Sequence, residues 1–328
     1  MPSEHASKPH LNACLSIVLS LACLGLASCS SMHGFRSAPV LGPTTWTSYD
    51  RKEMPWNVWS VPRGQTERGV VITVHGLSGA ASDFWLLGER LPKAGYTVYG
   101  YELRGQGHDP DLSMRGDIYH AEKWLRDLLS FHRLIRQRHP KVPIIWYGES
   151  LGSLIAMHTA AKERRGTPDA LILASPVAGL RQQPGGLERF LLLTTSHLLP
   201  NFRLKLGDIA GVDEKKMRVT STSTLGDQMA VTPHHVPEFS LRTLREINSL
   251  LEQNSRAARH IEIPVLVLAS PHDIVSSPDQ VQQLFKEFPS EAKRLHWYTR
   301  SYHLLLHDVQ HEDVLKDVTT WLKARTKK

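Results

Sequence analysis

The stretch VPIIWYGESLGS, residues 142–153, decides the fold of this chain. Its first half, residues 142–147, is a short apolar run rich in β-forming residues and predicts a buried strand. Residues 154–162 (LIAMHTAAK) predict a helix. A chain that passes directly from strand to helix turns sharply, and Gly148 and Gly152 are small enough for backbone to pass backbone. Ser150 is then pushed out at the tip of the turn, which predicts a catalytic serine.

Composition sets the size of the fold and excludes some partners. The 328 residues are 41% hydrophobic, enough for one α/β domain of about 250 residues and an insertion. The net charge of +7 favours anionic surfaces, but Lys and Arg are scattered without a nucleic-acid-binding motif, so no nucleic acid partner is expected. All three cysteines, Cys14, Cys23 and Cys29, lie in the N-terminal segment, so the globular part has no disulfide framework.

Strands alternate with helices along most of the chain. Strands are predicted at residues 56–61, 69–76, 96–103, 170–174, 264–269 and 294–298, and helices at 83–93, 117–138, 278–288 and 309–323. The first of these strands is expected at a sheet edge. The alternation predicts an α/β fold, with a mostly parallel sheet and helices on both faces. We assign residues 55–176 and 261–328 to this core.

The alternation breaks between residues 177 and 260. Residues 187–199 predict an apolar helical piece, residues 208–232 are polar and irregular, and residues 240–255 predict an amphipathic helix. We interpret residues 177–260 as a helical lid inserted between two sheet strands. Phe190 and Leu193 in its apolar part are candidates for an acyl-chain groove, although packing inside the lid is the simpler interpretation.

The first 28 residues predict a targeting segment. Lys8 and His10 precede an apolar run, residues 11–27, that is too short for a good spanning helix. The sequence LASC, residues 26–29, resembles the lipobox of bacterial lipoproteins. This resemblance implies cleavage before Cys29 and a membrane anchor of acyl chains on that cysteine. Because Ser30 rather than Asp follows, it also implies the outer membrane, facing the periplasm. Residues 29–54 would then form a tether; an ordinary cleaved signal is the alternative.

The residues that would activate Ser150 follow two later strands. A serine hydroxyl is a weak nucleophile that needs a base with a pKa near 7, and the base needs a carboxylate to orient it. In an open α/β sheet such groups lie at the carboxyl ends of strands. Asp273 follows the strand at 264–269, and His303 follows the strand at 294–298. The order Ser150, Asp273, His303 is the one expected for this fold.

Several other residues compete for these roles. His307 is the main alternative base and Asp279 an alternative acid, whereas His75 is more simply a packing residue. His303, His307 and His311 recur at every fourth position and could line one face of a helix. No partner pattern of carboxylates accompanies them, so no metal is expected.

The chain resembles the α/β-hydrolase superfamily, and within it the monoacylglycerol lipase and lysophospholipase group of serine aminopeptidase S33 type. The matching pieces are VHG (74–76), RGQG (104–107), GESLG (148–152), PVLV (264–267) with Asp273, and YHLL (302–305). The resemblance covers residues 55–325 and is weak in the lid. It implies Ser150 as nucleophile, His303 as base and Asp273 as orienting acid, with no cofactor. It also implies that Leu77 and Leu151 donate the backbone N–H groups of an oxyanion hole.

Two positions depart from the group's usual pattern. Gln106 replaces the histidine of Arg-Gly-His-Gly, and Glu149 replaces the histidine before the nucleophile in Gly-His-Ser-Met-Gly-Gly. We expect Glu149 to make a bond within the fold; adjustment of the pKa of the base is the alternative.

Together these features predict a membrane-anchored serine hydrolase. It would cleave a carboxylic ester of a lipid, such as monoacylglycerol or lysophospholipid, through an acyl-enzyme on Ser150. Two alternatives remain open. One is an amide or peptide hydrolase, since the same fold hosts aminopeptidases. The other is a lipoprotein binding module without enzymatic activity.

Overall fold

A computed structural model describes residues 38–163, 168–182, 185–186, 194–210 and 213–326. The predicted signal peptide, Cys29, Phe190 and Leu193 lie outside these ranges. Within them, no helix combines the length and the apolar character that a membrane crossing requires.

A nine-stranded sheet forms the centre of the fold. In spatial order its strands are β1 (Val40–Leu41), β2 (Thr45–Thr47), β3 (Glu53–Trp59), β5 (Tyr96–Tyr101), β4 (Gly69–Val74), β6 (Ile144–Glu149), β7 (Ala170–Ala174), β10 (Val265–Ala269) and β11 (Lys293–Trp297). All neighbours from β5 to β11 are parallel, and β1, β2 and β3 continue the sheet in antiparallel pairs. The predicted α/β fold class is confirmed.

Helices cover both faces of the sheet and also occur in the insertion between β7 and β10. They are α1 (Trp85–Arg90), α2 (Glu122–Arg138), α3 (Leu151–Lys162), α4 (Leu206–Ala210), α5 (Leu225–Val231), α6 (Leu241–Glu252), α7 (Asn254–Ala258), α8 (Pro278–Glu287) and α9 (His311–Arg325). The apolar sides of α2, α3 and α8 pack in one buried cluster, and those of α1 and α9 in another. Trp146 and Tyr147, adjacent on β6, belong to different clusters because strand side chains alternate between faces.

The segment before residue 54 differs from its predicted role as a tether. Its described part contributes β1, β2 and the start of β3 to the sheet, so β3 is not an edge strand. Trp46 on β2 is fully buried and makes edge-to-face contacts with Tyr101 and Phe131. Strands of two or three residues are too short to show an alternating pattern, so the sequence gives no signal for them.

Residues between β7 and β10 carry the predicted lid. Besides helices α4 to α7, they include two short antiparallel strands, β8 (Arg203–Leu204) and β9 (Phe239–Ser240). Leu250 and Ala257, near the end of this region, are buried in the same cluster as α3. The last part of the predicted lid, α6 and α7, therefore packs on the core, because the apolar face of the amphipathic helix needs a partner.

Arg104, just after β5, is buried between two carboxylates. Its guanidinium donates to Asp127 at 2.5 and 2.7 Å and to Asp50 at 2.6 and 2.8 Å. Burial opposes the charge on Arg104, but the two carboxylates outweigh it and raise the pKa of the guanidinium. Asp127 lies on α2 and Asp50 lies between β2 and β3, so this ion network joins three distant segments.

Candidate active site

The turn at Ser150 has the geometry that its two glycines predict. Ser150 has φ of 52° and ψ of −117°, in the left-handed half of backbone space that side chains rarely adopt. A Cβ atom on Gly152 would lie 2.0 Å from the carbonyl oxygen of Val74, and one on Gly148 would lie 2.4 Å from that of Gly152. Only glycine fits at either position, and the tight packing holds Ser150 at the tip of the turn.

The structure brings Ser150, His303 and Asp273 into one hydrogen-bonded chain. His303 Nε2 lies 3.0 Å from Ser150 Oγ, and His303 Nδ1 lies 3.0 and 2.9 Å from the two oxygens of Asp273. All three residues are buried. Since the Asp273 carboxylate can only accept, Nδ1 carries the proton and Nε2 is free to accept from the serine hydroxyl. This is the tautomer that a general base requires.

Neighbouring groups hold His303 and Asp273 in place. Ser175 Oγ donates to the carbonyl oxygen of His303 at 2.5 Å, and the Val275 amide donates to Asp273 Oδ1 at 2.7 Å. Burial of the imidazole lowers the pKa of His303, but the Asp273 carboxylate outweighs this effect, and the pKa lies above its ordinary value. The positive charge that His303 would acquire during proton transfer is therefore stabilised in advance.

Two backbone amides beside Ser150 are free to bind an oxyanion. The N–H groups of Leu77 and Leu151 make no hydrogen bond within the described residues. Leu151 is the first residue of α3, where helical amides have no internal partner. The loop that contains Leu77 lies against the nucleophile, because a Cβ on Gly76 would lie 3.2 Å from the Ser150 Cβ. The structure thus places both residues of the predicted oxyanion hole next to Ser150.

A model of the family described as serine aminopeptidase, S33, matches residues 65–310, well over half of the chain. The chain belongs to the S33 serine aminopeptidase family. The resemblance indicated by the sequence motifs is therefore confirmed at the level of the family and the fold.

Several known proteins are similar to the chain in sequence or in structure. The chain is 22% identical over 263 residues to a monoglyceride lipase of Rattus norvegicus, a match that covers 79% of the chain and 84% of that protein. It is also 22% identical to the phospholipase YtpA of Bacillus subtilis over 75% of the chain and 92% of that protein. A soluble variant of the Saccharomyces cerevisiae monoglyceride lipase, solved with a substrate analogue, has the same fold, with a TM-score of 0.72 and 18% identity. That match covers 89% of the chain and 97% of the solved one.

Among the hydrogen bonds of the described residues, none joins an alternative candidate to Ser150 or His303. Asp279 is exposed in the first turn of α8, and His75 is fully buried, with Nε2 accepting from the Leu103 amide. His307 interacts with the backbone of Asp83. The predicted helical stripe of His303, His307 and His311 does not form, because residues 305–307 make a separate 3-10 turn before α9 begins at His311. Among the described residues, no group of three ligating side chains could hold a metal ion.

A polar network beneath the oxyanion loop was not predicted from the sequence. The Ser78 amide donates to Gln106 Oε1 at 2.7 Å, and Ser78 Oγ contacts His235 Nδ1 at 2.7 Å and accepts from the Val236 amide at 2.8 Å. Ser78 has a positive φ of 64°, which these bonds help to maintain. Gln106 and the lid thus hold the loop that carries Leu77. The only signal in the sequence was the unusual glutamine at position 106.

We expect Gln106→Leu to lower kcat/KM by roughly tenfold, because a side chain without an acceptor leaves the Ser78 amide unpaired, at a cost of about 1–3 kcal/mol. The Leu77 donor would then be less well placed. Steady-state kinetics on a soluble aryl ester measure the change. Gln106→His, with a ring nitrogen that can accept the same bond, is the matched control and should stay near wild type. An active Gln106→Leu enzyme would show that this bond does not support the oxyanion loop.

Proposed function

We propose that this chain is a serine hydrolase that cleaves carboxylic esters of lipids, with a monoacylglycerol or a lysophospholipid as substrate. The observation that carries the proposal is the hydrogen-bonded chain from Ser150 through His303 to Asp273, beside two free backbone amides. The similarity to a monoglyceride lipase and a phospholipase supports the lipid substrate.

In the acylation step, Ser150 Oγ attacks the ester carbonyl carbon while its proton passes to His303 Nε2. Asp273 stabilises the imidazolium that results. The carbonyl oxygen becomes an oxyanion and accepts hydrogen bonds from the amides of Leu77 and Leu151, each worth on the order of 3 kcal/mol in the transition state. When this intermediate collapses, the ester bond breaks, and the leaving alcohol takes the proton from His303.

In the deacylation step, water replaces the alcohol. His303, neutral again, removes a proton from the water molecule, which attacks the acyl group on Ser150. The same two amides bind the second oxyanion. Its collapse releases the fatty acid, and His303 returns the proton to Ser150 Oγ. No metal or cofactor takes part in either step of this proposal.

Exposed apolar side chains in the lid are consistent with an apolar substrate. Within the short segment 198–202 of the lid, Leu198, Leu199 and Phe202 are 74%, 56% and 55% exposed. Apolar groups concentrated in one short segment mark contact with an acyl chain or a lipid surface. Phe190 and Leu193 precede this segment in the chain, and we propose that they contribute to the same acyl-chain surface.

We further propose that Cys29 carries the membrane anchor and that the enzyme faces the periplasm from the outer membrane. The support is the sequence LASC at residues 26–29 after an apolar run. Anchoring would keep the enzyme at the surface where its substrates lie, since each buried CH₂ of an acyl chain contributes about 0.8 kcal/mol. Mass spectrometry of protein purified from membranes should find acyl groups on Cys29. An unmodified Cys29 in that material would exclude the anchor.

The substrate class is tested by a panel of esters and amides. We expect the purified enzyme to release fatty acid from monoacylglycerol or lysophospholipid faster than it cleaves short aryl esters, with the preferred head group read from the panel. Aminoacyl arylamides belong in the same panel, because the family to which the chain belongs is described by its aminopeptidases. Faster cleavage of the arylamides than of any ester would replace the lipase proposal with an amidase.

A further inference from the structure

Glu149, the last residue of β6, directly precedes the nucleophile. Side chains alternate along a strand, and a Cβ on Gly148 would meet α3, so the Glu149 side chain points to the opposite face of the sheet. Tyr147 packs on that opposite face together with Leu305, which lies two residues after His303. Glu149 therefore lies on the face of the sheet where the loop of the base packs.

The carboxyl group of Glu149 is not explained by a bond within the fold. The residue is 5% exposed, and its Oε1 atom makes no hydrogen bond to any described residue. Two residues earlier, the hydroxyl of Tyr147 is likewise buried without a partner among the described residues. Burying a carboxyl with an unpaired oxygen destabilises a fold, so its presence beside the nucleophile indicates a role in the reaction.

Two charged side chains, His303 and Asp83, act on Glu149. Burial raises the pKa of Glu149 to about 7, the positive charge of His303 acts in the opposite direction, and Asp83, before α1, raises it further. Tyr147 on β6 and Tyr298 after β11 both have pKa values raised by burial, so they stay neutral at physiological pH. His303 is thus the cation that acts on the Glu149 carboxylate.

The pKa of His303 shows the same interaction with Glu149. Burial lowers the pKa of His303, and two carboxylates raise it: Asp273, through its charge and its hydrogen bonds, and Glu149, through its charge alone. No hydrogen bond joins Glu149 to the imidazole among the contacts of the described residues.

We propose that Glu149 is a second positioning residue for the base, whose carboxylate stabilises the imidazolium that forms when Ser150 transfers its proton to His303. Glu149 itself exchanges no proton with the substrate. The inference rests on the proposed roles of Ser150 and His303 but not on the identity of the lipid.

The sign of the pH effect follows from this arrangement. Attack by Ser150 requires a neutral His303, and an ionised Glu149 raises the pKa of that imidazole. Glu149→Gln keeps the shape but removes the charge, so the acid limb of the pH–rate profile should move to lower pH by about 0.5–1 unit. Above that limb the rate should fall by roughly 3- to 10-fold, because the imidazolium loses one stabilising charge. Below about pH 6, where wild-type Glu149 is itself protonated, the two enzymes should converge.

The experiment measures the rate constant for inactivation by a fluorophosphonate between about pH 5 and pH 9, because this probe needs the triad but no lipid substrate. Hydrolysis of an aryl ester over the same range gives a second profile. Glu102→Gln is the matched control: burial also raises the pKa of Glu102 to about 7, but His303 is affected by Asp273 and Glu149 rather than by Glu102. Glu149→Asp, which keeps the charge, should keep the wild-type limb even if its thermal midpoint falls.

A downward shift of the limb in Glu149→Gln, with Glu102→Gln and Glu149→Asp at the wild-type position, supports the proposal. An unchanged or upward-shifted limb in Glu149→Gln overturns it, as does an equal shift in Glu102→Gln. Because labelling by the fluorophosphonate is independent of the lipid panel, an enzyme that is labelled but cleaves no lipid would reject the substrate assignment and leave this test intact.

Discussion

Ser150→Ala should abolish ester hydrolysis, with kcat falling by a factor on the order of 10⁶. The change removes the oxygen that attacks the carbonyl, and His303 cannot compensate because the acyl-enzyme no longer forms. His303→Ala should cost about as much, and the double variant little more, because the members of such a chain act as one unit. The fold should be unaffected, since the Ser150 hydroxyl has His303 as its partner and no packing role.

The measurement is fatty-acid release together with fluorophosphonate labelling, which Ser150→Ala should lose entirely. Ser153→Ala is a suitable control in the same turn. Ser153 Oγ donates to the carbonyl oxygen of Gly148 at 2.8 Å, so its loss tests disturbance of the turn rather than of the chemistry. Ser153→Ala should keep its label and most of its activity. Appreciable labelling of Ser150→Ala would mean that another residue is the nucleophile.

Arg104→Leu should lower the free energy of unfolding by about 3–5 kcal/mol. The reason is the Asp127 carboxylate, which is 1% exposed and would be left buried without its cation. Loss of the Asp50 contact would also release the turn between β2 and β3. Because Gln106 follows Arg104 by two residues, we expect a loss of activity together with the loss of stability.

Denaturant unfolding of the purified variants measures this effect. Arg90→Leu is the matched control, since Arg90 pairs with Glu312 on the surface, and exposed ion pairs contribute about 0–1 kcal/mol. A double variant, Arg104→Leu with Asp127→Leu, should be less destabilised than the sum of the two single variants, because the fully buried Asp127 carboxylate is no longer left without its cation. If Arg104→Leu unfolds at the same denaturant concentration as Arg90→Leu, the buried network contributes little.

The sequence predicted those parts of the site whose position follows from the strand that precedes them in the chain. Ser150 follows β6 directly, Asp273 and His303 lie in the loops after β10 and β11, and the parallel sheet brings the carboxyl ends of those strands together. An apolar run and the residues that follow it can be recognised in the sequence without any knowledge of contacts between distant segments. The parallel strands of the central sheet were predicted for the same reason.

The parts that the sequence did not predict depend on contacts between distant segments. Asp127 on α2 has the appearance of an ordinary helix carboxylate until Arg104 is placed against it. Gln106 could be recognised as unusual, but its bond to Ser78 follows from how two loops meet. Glu149 was expected to bond within the fold, and the unpaired Oε1 becomes visible only when the sheet buries it. Short strands such as β1 show no pattern of their own.

The contacts between the lid and the loop of the base also determine the order in which the protein can mature during synthesis. The Leu304 amide donates to the carbonyl oxygen of Val219, and the Ser221 amide donates to Asp308 at 2.9 and 3.0 Å. These bonds join the insertion to residues more than 80 positions later in the chain. While the ribosome is still translating the region before Leu304, Ser150 has neither its base nor this anchorage of the lid, and domains tend to complete their long-range contacts late. The nascent enzyme therefore stays inactive until the segment that carries His303 and Asp308 has been translated and has folded.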